Sequence, residues 1–556
     1  MRLVPNPVLP GCHPDPSVCR VGEDYYMVTS TFTYHPGIPV HHSRDLATWR
    51  LAGHVLDGES WIPLDGSTVS DGVWAPTIRH HDGVFYVVFT IARDRQGATT
   101  YVTTATTPGG PWAVPTPLEA DGIDPSLFFD HDGRAWFTAA RDAKAPDATG
   151  PGEIWLRELD LPSLTLVGPT HVLWHGALSG QWVEAPHIYE RDGRYHLIGA
   201  EGGTERNHAV TSATSDAVTG PYRTDPRSPL LTHRHLGAGE LVQNVGHADI
   251  VEAPDGTAWA LVLGVRPVHG HHTLGREVLL VPVEWDEHGP VFAPGAGRVQ
   301  GVLPGLPDTT TRPATWVSLR GPVPADVADD TITLRPRPEP LSGRGRPALL
   351  ARRQDMHRFV FETMLETDRI AGHDAGVVAF QDENTYLAAR VRRRPDGCVV
   401  RVAGRVGGAE VVRSEVPVAS DVVLRIRSDG QSYTFSCVTR IGEDVLATFP
   451  HTALSTETAG GFVGVLLGLV NEAPESADPL VFRGVRYAAP TATSDGAGAG
   501  AHDERRREQV VPGGSPADQV QQHLDREAAE RHEVLPDGGQ GRHEVVGSSH
   551  IVEPHQ

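Results

Sequence analysis

From residue 15 to about residue 260 the chain repeats one pattern of apolar and polar positions. Asp15-Pro16-Ser17-Val18 leads to Gly22 and then Tyr25-Tyr26. Ala75-Pro76-Thr77-Ile78 leads to Asp82-Gly83 and Phe85-Tyr86, and Asp124-Pro125-Ser126-Leu127 to Asp132-Gly133 and Trp136. Ala185-Pro186-His187-Ile188 leads to Asp192-Gly193 and Tyr195, and His247-Ala248-Asp249-Ile250 to Asp255-Gly256 and Trp259. The starts at 15, 75, 124, 185 and 247 lie 60, 49, 61 and 62 residues apart. Each copy predicts a short strand, a turn, and a second strand with an aromatic and alternating apolar residues. Asp-Gly supplies the positive φ that a tight hairpin needs. Copies of about 60 residues hold four strands each, so the five predict a five-bladed β-propeller over residues 1–305.

In a propeller the innermost strand of every blade lines one axis, so equivalent positions converge at one mouth. Here they hold Asp15, Trp74-Ala75, Asp124, Glu184-Ala185 and His247. Three of the five copies therefore send a carboxylate toward one point.

Pro304, Pro307 and Pro313, with Thr309-Thr310-Thr311, predict a linker. Strand patterns resume over residues 316–488, at Phe359–Thr363, Tyr386–Val391, Val422–Ile426 and Tyr433–Cys437, and suit a two-sheet β-sandwich. From Thr491 the composition shifts to Gly, charge and His, which predicts a disordered or partly helical tail over 491–556.

Composition agrees with an all-β protein. The 556 residues include 60 Gly and 46 Pro, a turn-rich make-up, and leave room for two to four domains at roughly 100–200 residues each. The net charge of −22 argues against a nucleic-acid or anionic-membrane partner, because both repel the chain. Pro5 and Pro7 interrupt the N-terminus, no apolar run has membrane-span length, and a soluble cytoplasmic protein is expected. Cys12, Cys19, Cys398 and Cys437 have neither metal-ligand spacing nor a disulfide pattern and read as free, buried thiols.

The chemistry follows from the convergent acids. Taken singly, an Asp before Pro is a turn residue, a Trp before Ala-Pro is core, and a His beside a strand is structural. Recurrence at one repeat position points instead to a site. Glycosidic bonds are cleaved by paired carboxylates. Asp15 and Glu184 come from non-adjacent copies, which leaves room for substrate and water and suits the ~6.5–9.5 Å spacing of inverting enzymes. Asp124, from the copy beside Glu184, places a like charge near it and keeps it protonated. Asp15 is thus the expected base, Glu184 the acid, Asp124 the modulator, and Trp74 a wall for a sugar face.

Several segments resemble glycoside hydrolase family 43: Asn6–Gly11 with His13–Ser17, Thr29–Phe32, His41–Leu46, Val73–Pro76, Ile123–Phe128, Glu184–His187 and His272–Glu277. The likeness is to its β-xylosidase and α-L-arabinofuranosidase branch. It implies the five-bladed propeller, hydrolysis with inversion, the three roles just given, and a sugar subsite lined by Phe32, Trp74 with Ala75, His247 and Arg276. It implies no required cofactor; in some relatives the fifth-copy His helps hold a calcium ion, so structural calcium stays open. Leu350–Gln354 with Arg358-Phe359 resembles the concanavalin-like sandwich that follows the propeller in these enzymes, where one loop narrows the active site. Phe462, in Gly460-Gly461-Phe462-Val463-Gly464, is the candidate aromatic on that loop. The expected activity is exo-release of xylose from the non-reducing ends of xylo-oligosaccharides. The alternatives are an α-L-arabinofuranosidase or a bifunctional enzyme and, from another class, a non-catalytic sugar-binding propeller. A homo-oligomer is compatible with all of these.

Overall fold

The computed structural model describes residues 5–93, 97–146, 148–301, 315–370, 374–418, 421–439 and 442–490. The expected linker prolines and the expected tail from Thr491 lie outside them.

The first body consists of five four-stranded antiparallel sheets, each a simple meander. Sheet I is Ser17–Val21, Asp24–Val28, Gly37–Ser43 and Arg50–Leu56. Sheet II is Gly72–His81, Val84–Arg93, Gly97–Ala105 and Thr116–Leu118. Sheet III is Ile123–Phe129, Ala135–Asp142, Gly152–Asp160 and Thr165–Trp174. Sheet IV is Val183–Arg191, Arg194–Glu201, Ala209–Ser215 and Arg223–Thr224, and sheet V is Gln243–Glu252, Ala258–Val265, Glu277–Asp286 and Gly289–Phe292. Their first strands neighbour one another in order, and that of sheet V returns to that of sheet I. The N-terminus closes the ring. Val8 and Leu9 pair with Val278, and the Asn6 side chain donates to Leu280 O and accepts from Leu280 N at 2.9 and 2.8 Å. In all four Asp-Gly turns the glycine has positive φ: Gly83 79°, Gly133 85°, Gly193 73° and Gly256 81°; in two of them the aspartate does too, Asp82 at 48° and Asp192 at 51°.

The second body is a sandwich of a seven-stranded and a six-stranded antiparallel sheet. The four expected strands fall within Arg358–Leu365, Thr385–Arg394, Val422–Asp429 and Ser432–Thr439. In Arg358–Leu365 burial alternates strictly, with Phe359, Phe361, Thr363 and Leu365 inside. All four cysteines are free and buried.

The two bodies share a core. Cys12, Phe32, Tyr34 and Val69 of the first pack with Leu349, Phe380 and Leu466 of the second. Tyr34–His35 pairs as a strand with Ser318–Leu319. Arg320, fully buried, donates to Ser67 O and Gly345 O and to the Glu383 carboxylate. Removing one partner of such a pair strands a charge away from water. Glu383→Ala should therefore lower stability by about 3–5 kcal/mol, read as a drop in the urea midpoint, with Glu383→Gln less affected. An unchanged midpoint in Glu383→Ala would show that the pair does not brace this junction.

Candidate active site

The five repeat positions share one backbone conformation. Asp15, Ala75, Asp124, Ala185 and His247 all have positive φ, at 57°, 38°, 53°, 53° and 49°. This is rare for non-glycine residues and costs about 1–3 kcal/mol each, so it persists only where surrounding structure imposes it. Each of the first strands of sheets II to V also breaks register with its neighbour here. The break turns the strand end toward the axis and aims the side chain at, or just before, the left-handed residue into a common pocket. That pocket is lined by Asp15, Phe32, Trp74, Ile123, Asp124, Glu184, Thr204, His247, Arg276 and Phe462.

Every sequence-derived candidate except Ala75 is on this wall. Ala75 contributes backbone: its N–H donates to Ser30 Oγ at 2.7 Å, and Ser30 Oγ donates to Asp15 Oδ2 at 2.6 Å. Its left-handed φ is what places Trp74 and that N–H together. Ile123 and Thr204 were not anticipated. Ile123 immediately precedes a left-handed residue, the same offset as Trp74 and Glu184, so the repeat held the signal. Thr204 lies in a loop outside the repeat, without one.

Asp15 is buried and accepts from Arg276 Nη1 at 2.8 Å, with His247 Nδ1 at 3.6 Å. Burial pushes its carboxyl upward, but Arg276, His247 and Ser30 outweigh that and hold it below the usual carboxylate range. Arg276 in turn sits between two rings, 6.0 Å from the Phe32 centroid and 5.8 Å from that of Phe462. Asp124 accepts one hydrogen bond, from Ala185 N at 3.1 Å. Burial raises it to about 6, against the pull of His247. Glu184 is pushed well above its ordinary value, first by burial and then by Asp124 and Asp15. The like-charge argument from sequence thus names the second cause; desolvation is the first. Trp74 and Phe462 meet edge to face at 5.5 Å and close one side. Ser70 pins both, accepting from Trp74 Nε1 through its carbonyl at 2.9 Å and from Phe462 N through its hydroxyl at 3.0 Å.

Beneath the acids, the next inward residues of the first strands form a second polar layer. Asp249 accepts from Ser17 Oγ, Val18 N, both terminal nitrogens of Arg79, and Tyr189 OH, at 2.7–3.2 Å. Arg79 also contacts His187, which contacts Ser126. Burial pushes His187 down to about 3, so it is neutral. The Asp249 carboxylate is saturated and already carries a cation, Arg79, so it has no oxygen free for a calcium ion, which takes six to eight. Among the described residues no group of three or more His, Cys, Asp or Glu is arranged to hold a metal.

An ionised carboxylate, a protonated carboxyl and an aromatic-walled pocket make up the equipment of a glycoside hydrolase. The family model of "Glycosyl hydrolases family 43" matches residues 4–291, and that of "Beta xylosidase C-terminal Concanavalin A-like domain" matches residues 308–487. A xylosidase/arabinosidase of Butyrivibrio fibrisolvens is 35% identical over 500 residues, 84% of this chain and 96% of that one. A non-reducing end α-L-arabinofuranosidase of Bacteroides ovatus is 33% identical over 493 residues, covering 84% and 90%. The crystal structure of a xylan β-1,4-xylosidase from Bacillus halodurans superposes with a TM-score of 0.79 at 32% identity, over 87% of this chain and all of the other. The chain belongs to glycoside hydrolase family 43: it is an all-β enzyme of the xylosidase/arabinosidase group, with a family-43 domain followed by a concanavalin-like domain. The sugar-binding propeller without catalysis is thereby set aside.

The electrostatics fix the expected pH profile. A base whose pKa is lowered stays ionised until pH falls through that value, below the ordinary 3.8. An acid whose pKa is raised stays protonated until pH rises through that value, well above the ordinary 4.5. Ionisation of Asp124 near pH 6 adds a like charge and pushes Glu184 higher still. kcat/KM on an aryl pentoside with a good leaving group should therefore hold a plateau from about pH 4 to well above 4.5, and the alkaline fall should vanish in the residual activity of Glu184→Gln. An alkaline limb near pH 4.5 in the unaltered enzyme would contradict this.

Proposed function

We propose that the enzyme is an exo-acting, inverting β-xylosidase that releases xylose from the non-reducing ends of xylo-oligosaccharides. The observation that carries this reading is the opposite displacement of two carboxyls on one pocket, Asp15 downward and Glu184 upward. In this reading the protonated Glu184 gives its proton to the departing glycosidic oxygen. The ionised Asp15 takes a proton from a water attacking the anomeric carbon on the opposite face. Asp124 binds the Ala185 N–H next to Glu184 and keeps the acid charged with its proton. Phe32, Trp74, His247, Arg276 and Phe462 form the subsite, with Arg276 offering a fixed fork of donors to sugar hydroxyls. A pocket closed on one side by Trp74 and Phe462 favours a terminal sugar over the middle of a chain. In the same reading the five sheets are the blades of a five-bladed propeller, residues 1–305 form the catalytic domain, and residues 316–488 form the sandwich.

The printed activities of the relatives support a pentosidase of this kind, since the Butyrivibrio enzyme is a xylosidase/arabinosidase and the Bacillus halodurans structure is that of a xylan β-1,4-xylosidase. An α-L-arabinofuranosidase or a bifunctional enzyme is the second reading, favoured by the 33% identity with the Bacteroides ovatus enzyme.

Initial rates on 4-nitrophenyl β-D-xylopyranoside and α-L-arabinofuranoside, with proton NMR of xylobiose hydrolysis, test the proposal. The xyloside should be preferred, α-xylose should appear before mutarotation, and Glu184→Gln should lose xylobiose turnover. A large arabinofuranoside preference would move the assignment to the second reading, and initial β-xylose would overturn inversion.

A further inference from the structure

The pocket wall bearing Phe462 belongs to the sandwich, yet it must be held against residues of the five-sheet ring. The segment that carries it, from the end of Gly442–Pro450 to the start of Leu466–Glu472, contains a 3-10 turn, His451–Leu454, and then one α-helical turn, Thr456–Ala459. After that turn the chain reverses through Gly460 and Gly461, at φ 78° and 75°, and delivers Phe462 to Trp74 and Arg276. Two successive left-handed glycines give such a reversal little stiffness of its own. Something outside the segment has to fix it.

Ser70 Oγ holds Phe462 N and His451 Nε2 meets Val268 O, each at 3.0 Å, and the densest set of contacts converges on one further side chain. Glu457 reaches from the helical turn into the ring-side loop between Ala258–Val265 and Glu277–Asp286. Its Oε1 meets His272 Nδ1 at 2.6 Å, and its Oε2 accepts from His272 N at 2.9 Å. His271 Nδ1 lies 3.8 Å from the same carboxylate and 3.0 Å from Ser455 Oγ. Backbone bonds flank the contact, Thr456 N to His272 O at 3.1 Å and Val465 N to Thr273 O at 2.9 Å. Burial alone would raise the Glu457 carboxyl, but the bonds from His272 hold it below its ordinary range, so it is a carboxylate at neutral pH. Gly464 lies so close to this loop that a Cβ there would be 2.6 Å from Leu274 O.

We propose that Glu457 is a positioning residue that latches the sandwich loop onto His271 and His272, and so holds Phe462 over the sugar subsite. This rests on the proposed role of Phe462 in that subsite. Glu457 does not touch the pocket; it acts through Phe462, which makes the effect one on substrate affinity rather than on the chemical step. The loop so gripped also leads directly into Arg276, four residues beyond His272.

The test is a double-mutant cycle on the full-length enzyme with an aryl β-xyloside, using Phe462→Ala, Glu457→Ala and the pair. Phe462→Ala and Glu457→Ala should each raise KM about tenfold, with kcat within about threefold of the unaltered enzyme. The pair should be no worse than Phe462→Ala alone. Glu457→Gln, which keeps an acceptor for His272 N and the size of the side chain, should restore most of the KM. Glu457→Asp keeps the charge but draws the carboxylate back by one methylene. It should give a smaller rise in KM, and it supplies the comparison where Glu457→Ala does not fold. A KM unchanged in Glu457→Ala and Glu457→Asp while Phe462→Ala raises it, or effects that multiply in the pair, would overturn the latch. A KM unchanged in Phe462→Ala would instead remove Phe462 from the subsite.

Discussion

The structure depends on five backbone positions held where side chains other than glycine rarely sit. Asp15, Ala75, Asp124, Ala185 and His247 share a left-handed conformation at the inner edge of five successive sheets. Four of the five precede proline, which on its own favours extended backbone. No local preference explains the arrangement, so the closed ring of first strands must enforce it. The result is functional geometry. Trp74 and Glu184, one residue ahead of the turn, and Asp15, Asp124 and His247, at the turn itself, meet in one pocket although they are up to 232 residues apart between Asp15 and His247.

From that convergence the charge states follow. Three carboxyls forced into a small desolvated space cannot all ionise. The contacts decide which one does. Asp15 has Arg276, His247 and Ser30; Asp124 has the pull of His247 and a backbone N–H, which do not offset its burial; Glu184 has the like charges of the other two. The second layer below obeys the same accounting with the opposite outcome. Asp249 receives Arg79 and three further donor groups, and is held far below the ordinary carboxylate range. Ser17, Arg79, Ser126, His187 with Tyr189, and Asp249 come one sheet at a time from I to V, so this layer also ties the ring together across its axis.

Much of this was legible in the sequence, and the reason is physical. Hairpins announce themselves through Asp-Gly because positive φ is costly for most residues, and five copies of one hairpin fix spacing and count. The acids were legible because they recur at one repeat position or the residue just before it. Arg276 was not legible from local chemistry: in Gly275-Arg276-Glu277 it looks like a surface charge, and only the family resemblance placed it at the sugar. In the fold it is buried between Phe32 and Phe462 and pairs with an aspartate 261 residues away. Arg79 and Asp249 were missed because an inward charged pair on alternating positions looks like an outward one until the axis is known. Ser70 and Thr204 lie in loops and Glu457 on a short helical turn, all outside the repeat, and their roles come from which segments the two bodies bring into contact.

The central claim is that the ring holds Glu184 protonated while Asp15 is ionised. Carbon-13 NMR of carboxyl-labelled enzyme, titrated with and without Glu184→Gln, measures this directly. The account predicts a glutamate resonance that titrates well above 4.5 and disappears in the variant. A Glu184 resonance titrating at or below that value would contradict it.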